Sequence, residues 1–273
     1  MNTKTLIKLA LKEDKAQHDI TTLVFVPRSR RISGDFIAKE SGIVCGLDIA
    51  AEAFKALDKK ITFKKFVKDG IQIKKFQKLA SISGNARAIL SGERTALNIL
   101  QRMSGIATLT HKYVVAACGK TRIYDTRKTT PLLREFEKYA VRCGGGFNHR
   151  FDLAEMAIVK DNHLAAVEAW GSAVKQLRVK YPRRHLEIEA QSLKQVSEIV
   201  KLKPDIIMLD NMNLADMKKA ITYIRKNSVC EIEISGGMNI DSVKKYATLR
   251  PDRISVGKIT HSAPSIDISL EFR

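Results

Sequence analysis

Cysteine is scarce and unpatterned. The 273 residues hold four, at positions 45, 118, 143 and 230, with no C-x-x-C pair. This excludes the common structural zinc spacings and the disulfide framework of a small secreted domain. Read as small apolar fillers, the cysteines fit a reducing compartment, and a cytoplasmic location is the expectation. Aromatic residues make up only 6%, and no block interleaves them with basic side chains. A stacking platform for single-stranded nucleic acid needs such interleaving, so a nucleic-acid partner finds no support beyond charge. Long apolar runs are missing as well. Residues 5–11 are apolar but broken by Lys8 and followed by Lys12, Glu13 and Asp14. A secretory signal needs about 7–15 uninterrupted apolar residues and a membrane helix roughly 18 or more. Neither export nor a membrane is expected. No internal repeat, low-complexity tract or Pro/Gly linker divides the chain.

Acidic residues are outnumbered, 29 against 48 basic ones, for a formal net charge of +19. Such a balance suits nucleic acid, an anionic membrane face or anionic small substrates. Many lysines occur as ordinary surface pairs, Lys59-Lys60, Lys64-Lys65, Lys74-Lys75 and Lys218-Lys219 among them. These read as a solvated face, so the position of the remaining cations matters more than the total.

The first hundred residues mix helix and strand and suggest a small α+β domain. Leu6, Leu9 and Ala10 have helical spacing, residues 47–57 read as an amphipathic helix, and short β-rich runs fall within 30–46 and 60–90. From Gly92 to about Cys118 the pattern is helical, with a break expected near Gly105.

The second half alternates. Short β-rich runs at 121–124, 156–159, 186–188, 206–209, 232–234 and 254–256 are separated by helical stretches. They end in Asp125, Lys160, Glu189, Asp210, Ser235 and Gly257, which are 21 to 35 residues apart. About 30 residues is the scale of a βαβ unit. Six in series point to a parallel sheet rolled into a barrel, with an open parallel sheet as the alternative. In such barrels the active site lies at the C-terminal ends of the strands. A lysine, a glutamate and two aspartates around one rim exceed what a purely structural barrel needs, and neither Lys160 nor Glu189 is a preferred helix cap.

Three stretches carry chemistry. Asp125-Thr126-Arg127-Lys128-Thr129-Thr130-Pro131 puts two adjacent cations after a strand, suited to a carboxylate or phosphate. Arg142-Cys143-Gly144-Gly145-Gly146-Phe147-Asn148-His149-Arg150 combines three glycines, which permit a tight turn and close ligand approach, with two further donors. Glu233-Ile234-Ser235-Gly236-Gly237-Met238-Asn239 and Ser255-Val256-Gly257-Lys258 place glycines at two consecutive strand ends, a common phosphate site of barrels. No Walker loop or G-x-G-x-x-G fingerprint is present.

In this order and spacing, DTRKTTP, KYAVRCGGGFNHR, IVKDNH, IMLDNM, EISGG and ISVGKITHS resemble the signature blocks of the quinolinate phosphoribosyltransferases. Gly92-Glu93-Arg94-Thr95-Ala96-Leu97-Asn98 and Asp267-Ile268-Ser269-Leu270 match too, so the resemblance runs from about residue 10 to the C-terminus. The chain departs from the family at Ala16 and His18, in a stretch usually rich in glycine, and at Leu132, where the family has Pro-Gly-Leu-Arg. The ModD-like proteins of molybdenum transport share the fold and part of these blocks but lack the Lys-Asp-Asn-His and Leu-Asp-Asn ones. They represent the alternative of a related pyrophosphorylase with another acceptor.

The resemblance implies an N-terminal α/β sandwich domain (1–104, with 265–273 returning to it) and an incomplete, open α/β barrel (105–264). It implies transfer of phosphoribose from phosphoribosyl pyrophosphate to quinolinate with decarboxylation, giving nicotinate mononucleotide, and Mg²⁺ carried by the substrate rather than by protein ligands. It further implies a homodimer or hexamer with shared active sites. Arg127, His149, Arg150 and Lys160 would then surround the quinolinate carboxylates, with Arg94 arriving from the other subunit. Lys128 would lie near the pyrophosphate, and Glu189 and Asp210 would hold the ribose and stabilise charge at its anomeric carbon. Ser235, Gly236, Gly237, Gly257 and Lys258 would bind the 5′-phosphate end. Lys128, Lys160, Glu189 and Asp210 are the expected catalytic residues. Elementary electrostatics agrees, because two like charges 4 Å apart repel by about 4 kcal/mol at an effective dielectric near 20. Two anionic substrates therefore need convergent cations.

Overall fold

A computed structural model describes residues 2–167 and 170–273. After the helices Thr3–Glu13 and Ile20–Phe25 come the strands β1 (Arg31–Ala38), β2 (Gly42–Ile43), β3 (Thr62–Lys65), β4 (Gln72–Ile73) and β5 (Lys78–Asn85). There follow β6 (Arg122–Tyr124), β7 (Ala157–Val159), β8 (Leu186–Ala190), β9 (Ile206–Asp210), β10 (Glu231–Ser235), β11 (Arg253–Ser255) and β12 (Ile268–Phe272). Two compact units result. One comprises Met1–His111, Thr129–Gly145 and Ser262–Arg273; the other comprises Lys112–Lys128 and Gly146–His261.

The first unit is built on an antiparallel sheet in the order β12-β1-β5-β3. The expected helix at Leu47–Leu57 is present, and its Ala50, Ala53 and Phe54 are buried. Phe36 of β1 packs against Phe54 and Phe63, with ring centroids 6.0 and 5.3 Å away. The C-terminal strand pairs with β1 through Phe36↔Leu270 and its neighbours.

Two expectations are corrected here. The helix Ala86–Ala116 runs unbroken through Gly105. Glycine serves another purpose there, since a Cβ at Gly105 would come within 1.9 Å of the Pro264 carbonyl oxygen. It lets a crossing backbone touch the helix. Similarly, Gly144 is glycine because a Cβ would lie 2.3 Å from the Ala107 carbonyl oxygen, a matter of helix packing and not of ligand approach.

The segment Thr129–Gly145 also joins the first unit, where a barrel position was expected. Its side chains explain this. Buried Glu137 accepts a hydrogen bond from Arg102 Nη2 at 2.9 Å and one from the Thr130 hydroxyl at 2.8 Å, while the Tyr139 hydroxyl donates to Asp69 at 3.0 Å.

The second unit is a six-stranded parallel sheet in the order β6-β11-β10-β9-β8-β7. The first strand neighbours the last, the order of a barrel, but β6 and β7 do not pair, so it stays open between them. The six strands fall on the six β-rich runs of the sequence. Side chains alternate across a strand. Register places Glu189 opposite Met208, Met208 opposite Glu233, Asp210 opposite Ser235, and Glu233 opposite Arg253. These residues therefore share one face, and it is polar. The alternate residues Ile188, Ile207, Leu209, Ile232, Ile234 and Ile254 are all fully buried and aliphatic. The strands thus present apolar side chains on one face and the groups of the site on the other. Among the described residues no helix is long and apolar enough to cross a membrane.

Candidate active site

At the C-terminal ends of β6 to β11 lies a cavity of about 590 Å³, within the usual size range of small-molecule sites. Every residue expected to bind substrate or act in catalysis lines it except Arg94. Arg94 belongs to the first unit, exposed on the helix Ala86–Ala116.

The lining is sorted by charge. Arg127 and Lys128 follow β6, Arg150 ends the glycine-rich stretch, and Lys160 follows β7. Arg150 is anchored by donating to the Met156 carbonyl at 2.7 Å. Burial, and then the charge of nearby Arg127, lower its proton affinity. Two guanidiniums brought together in this way call for an anion. The acids stand at the neighbouring strand ends. Glu189, at the end of β8, is buried and accepts from Lys160 Nζ at 2.8 Å and from Gln191 Nε2 at 3.2 Å. Asp210, the last residue of β9, accepts from Asn211 Nδ2 at 2.7 Å.

The ends of β10 and β11 carry the glycines. Gly236 has φ +132°, and a Cβ there would lie 2.6 Å from Asn211 Oδ1, so no other residue fits without a shift. Gly237 faces open space. A Cβ at Gly257 would press on the Lys128 side chain at 3.1 Å. The Thr260 hydroxyl donates to the Lys128 carbonyl at 2.8 Å, so the loops after β6 and β11 are tied together.

Two expectations change. Asp125, read as part of the rim, is fully buried. Its carboxylate accepts the His149 backbone N–H at 2.8 Å and the Asn148 side chain at 2.6 Å, which shapes the glycine-rich stretch. His149 itself is mostly buried and lies 3.2 Å from Glu187 and 3.4 Å from Glu233. The two glutamates were not foreseen. The signal was present in the alternation of LEIEA and EIEIS, but attention to strand ends passed over mid-strand acids.

A profile of the quinolinate phosphoribosyl transferase C-terminal domain matches residues 106–271, and one of the N-terminal domain matches 19–104. The chain belongs to the quinolinate phosphoribosyltransferase family. It is 38% identical to the carboxylating nicotinate-nucleotide pyrophosphorylase of Mycobacterium leprae, over 97% of this chain and 95% of the relative. The crystal structure of NadC from Streptococcus pyogenes superimposes with a TM-score of 0.93 at 40% identity, covering 98% of this chain and 94% of that one. Nicotinate-nucleotide pyrophosphorylase from Ehrlichia chaffeensis gives 0.93 at 35% identity, covering 100% and 99%. At Leu132, where the chain departs from the glycine of the family pattern, the backbone is nonetheless left-handed, with φ +68°.

Proposed function

We propose that this chain is a carboxylating nicotinate-nucleotide pyrophosphorylase, joining quinolinate to the phosphoribosyl group of phosphoribosyl pyrophosphate and releasing pyrophosphate and CO₂. The observation that carries the reading is the sorting of charge in one cavity: cations after β6 and β7, carboxylates at the ends of β8 and β9, glycines at the ends of β10 and β11.

The substrates fit that order. Quinolinate is a dianion for Arg127, Arg150 and Lys160. The 5′-phosphate belongs with the backbone N–H groups around Ser235, Gly236, Gly237 and Gly257, with Lys258 beside them. Lys128 stands where the pyrophosphate leaves. As the C1–O bond breaks, the electron pair departs with pyrophosphate and C1 becomes oxocarbenium-like, a charge that Glu189 and Asp210 stabilise. The ring nitrogen then bonds to C1 and becomes cationic. That cation accepts the electron pair left when the adjacent carboxylate departs as CO₂, and a proton at the same carbon completes nicotinate mononucleotide.

Mg²⁺ neutralises the pyrophosphate when bound. Glu189 and Asp210 belong to no cluster of three metal-ligating side chains among the described residues. This suits a cation that takes its ligands mainly from substrate oxygens and water. The protein acts as a homodimer or a higher assembly, with Arg94 reaching the partner's pocket, and works in the cytoplasm. Exposed Ile20, Val24 and Phe25 on one short helix support a partner surface.

The test is direct: purified protein with quinolinate, phosphoribosyl pyrophosphate and Mg²⁺, following nicotinate mononucleotide and CO₂, with nicotinate replacing quinolinate as control. Product from quinolinate alone is expected. A folded, inactive sample would move the reading to another anionic acceptor.

A further inference from the structure

Glu187 and Glu233 lie mid-strand on the polar face of the open barrel, fully buried. They converge on Nε2 of His149 from β8 and β10. The three side chains form a partition. His149 borders the active-site cavity and also a larger one, of about 1290 Å³, near the strands' N-terminal ends at Asp205, Glu231 and Arg253.

Two carboxylates this close in dry surroundings cannot both stay charged unless a cation or a proton is shared with them. Burial works against a charge on His149, but the two glutamates outweigh it and raise the ring's affinity for a proton. Burial, then the charge of Glu187, push Glu233 upward. The place of the ring proton follows from the other nitrogen, since Nδ1 accepts the backbone N–H of Arg150 at 2.8 Å. Its lone pair is engaged, so the ring proton sits on Nε2, between the carboxylates. Tyr124 of β6 also faces the ring, edge-on with centroids 6.4 Å apart, and Asp125 lies behind the His149 backbone. Arg253 of β11, with Nε 3.9 Å from Glu233, backs the cluster, and Arg150 and Arg127 lie toward the active-site cavity.

We infer that Glu187 and Glu233 are positioning residues for quinolinate recognition: they hold His149 in its Nε2–H form, and His149 in turn holds the backbone of Arg150, whose guanidinium meets the substrate. His149 then acts through Arg150. This rests on the quinolinate reading.

The experiment uses full-length Glu187→Gln and Glu233→Gln. An amide can donate to Nε2, which shifts the ring proton to Nδ1 and sets it against the Arg150 N–H. The KM for quinolinate is expected to rise about tenfold, with the KM for phosphoribosyl pyrophosphate unchanged. Against an Arg150→Ala background, the same substitutions should add nothing, because the effect passes through Arg150. In ¹⁵N NMR the His149 ring, assigned by its loss in His149→Gln, should be the neutral Nε2–H form at pH 7. That measurement needs no activity, so a native protein inactive with quinolinate would sink the functional reading and leave the tautomer result standing. An Nδ1–H or doubly protonated ring would overturn the inference. So would equal changes in both KM values, additive losses in the Arg150→Ala background, or one equivalent of zinc in the native protein that Glu233→Gln lacks.

Discussion

Lys160 and Glu189 lie 2.8 Å apart, but 46% of the lysine side chain is exposed against 5% of the glutamate's. The lysine is free to turn toward an incoming carboxylate, while the glutamate stays. On the proposed function, Glu189 would then face the anomeric carbon as an uncompensated charge, at the moment that carbon turns positive. Glu189→Gln should lower kcat about 100-fold, the scale seen when one preorganised electrostatic partner is removed. The KM for quinolinate should change little, as steady-state kinetics would show. Leu132 poses a different question. A left-handed backbone disfavours any side chain with a Cβ by about 1 kcal/mol or more, so Leu132→Gly should raise stability by about 1 kcal/mol in urea unfolding. The rim residues were legible because each interrupts a short aliphatic run. Glu187 and Glu233 were not, because an acid at alternate positions of a strand also describes an ordinary solvent-facing edge, and only the closing of the sheet turns that face inward.

The helix Ala86–Ala116 shows where local rules end. Glycine inside a helix costs about 1 kcal/mol relative to alanine, so a break at Gly105 is the sound reading of propensity alone. What overrides it is the passage of Pro264 across the helix, a contact 159 positions away in the chain that no window of sequence reveals. The sign of one substitution decides the matter. If Gly105 were merely tolerated, Gly105→Ala would stabilise the protein. With the carbonyl oxygen of Pro264 in the way, it should destabilise by about 2 kcal/mol, measured as a lower urea midpoint at unchanged slope. The helix Leu47–Leu57, by contrast, was legible to the residue, because its apolar stripe and its packing agree.

At the scale of the molecule, the β/α order of residues 121–256 fixed both the kind of sheet and the end that carries the site. The assignment of Thr129–Gly145 to the first unit was out of reach, since it depends on Glu137 and Tyr139 meeting Arg102 and Asp69. Whether the working unit is one chain or two has a clear test. If Arg94 serves a partner's pocket, Arg94→Ala and Glu189→Ala are each inactive alone. Mixed and reassembled, they should recover roughly a quarter of native activity, because half the dimers are hybrids and each hybrid has one intact pocket. No recovery would place Arg94 in its own chain's site or outside any site. The alternation along the barrel strands has one more consequence. In β8 and β10 the same five residues spell two messages, one aliphatic and one ionic, on odd and even letters. Deleting a single letter would exchange them, thrusting carboxylates into the oil and isoleucines into the reaction. Such a chain has no inactive but well-folded descendants by that route. Its lineage can lengthen its loops freely, yet within these strands it can change only by substitution.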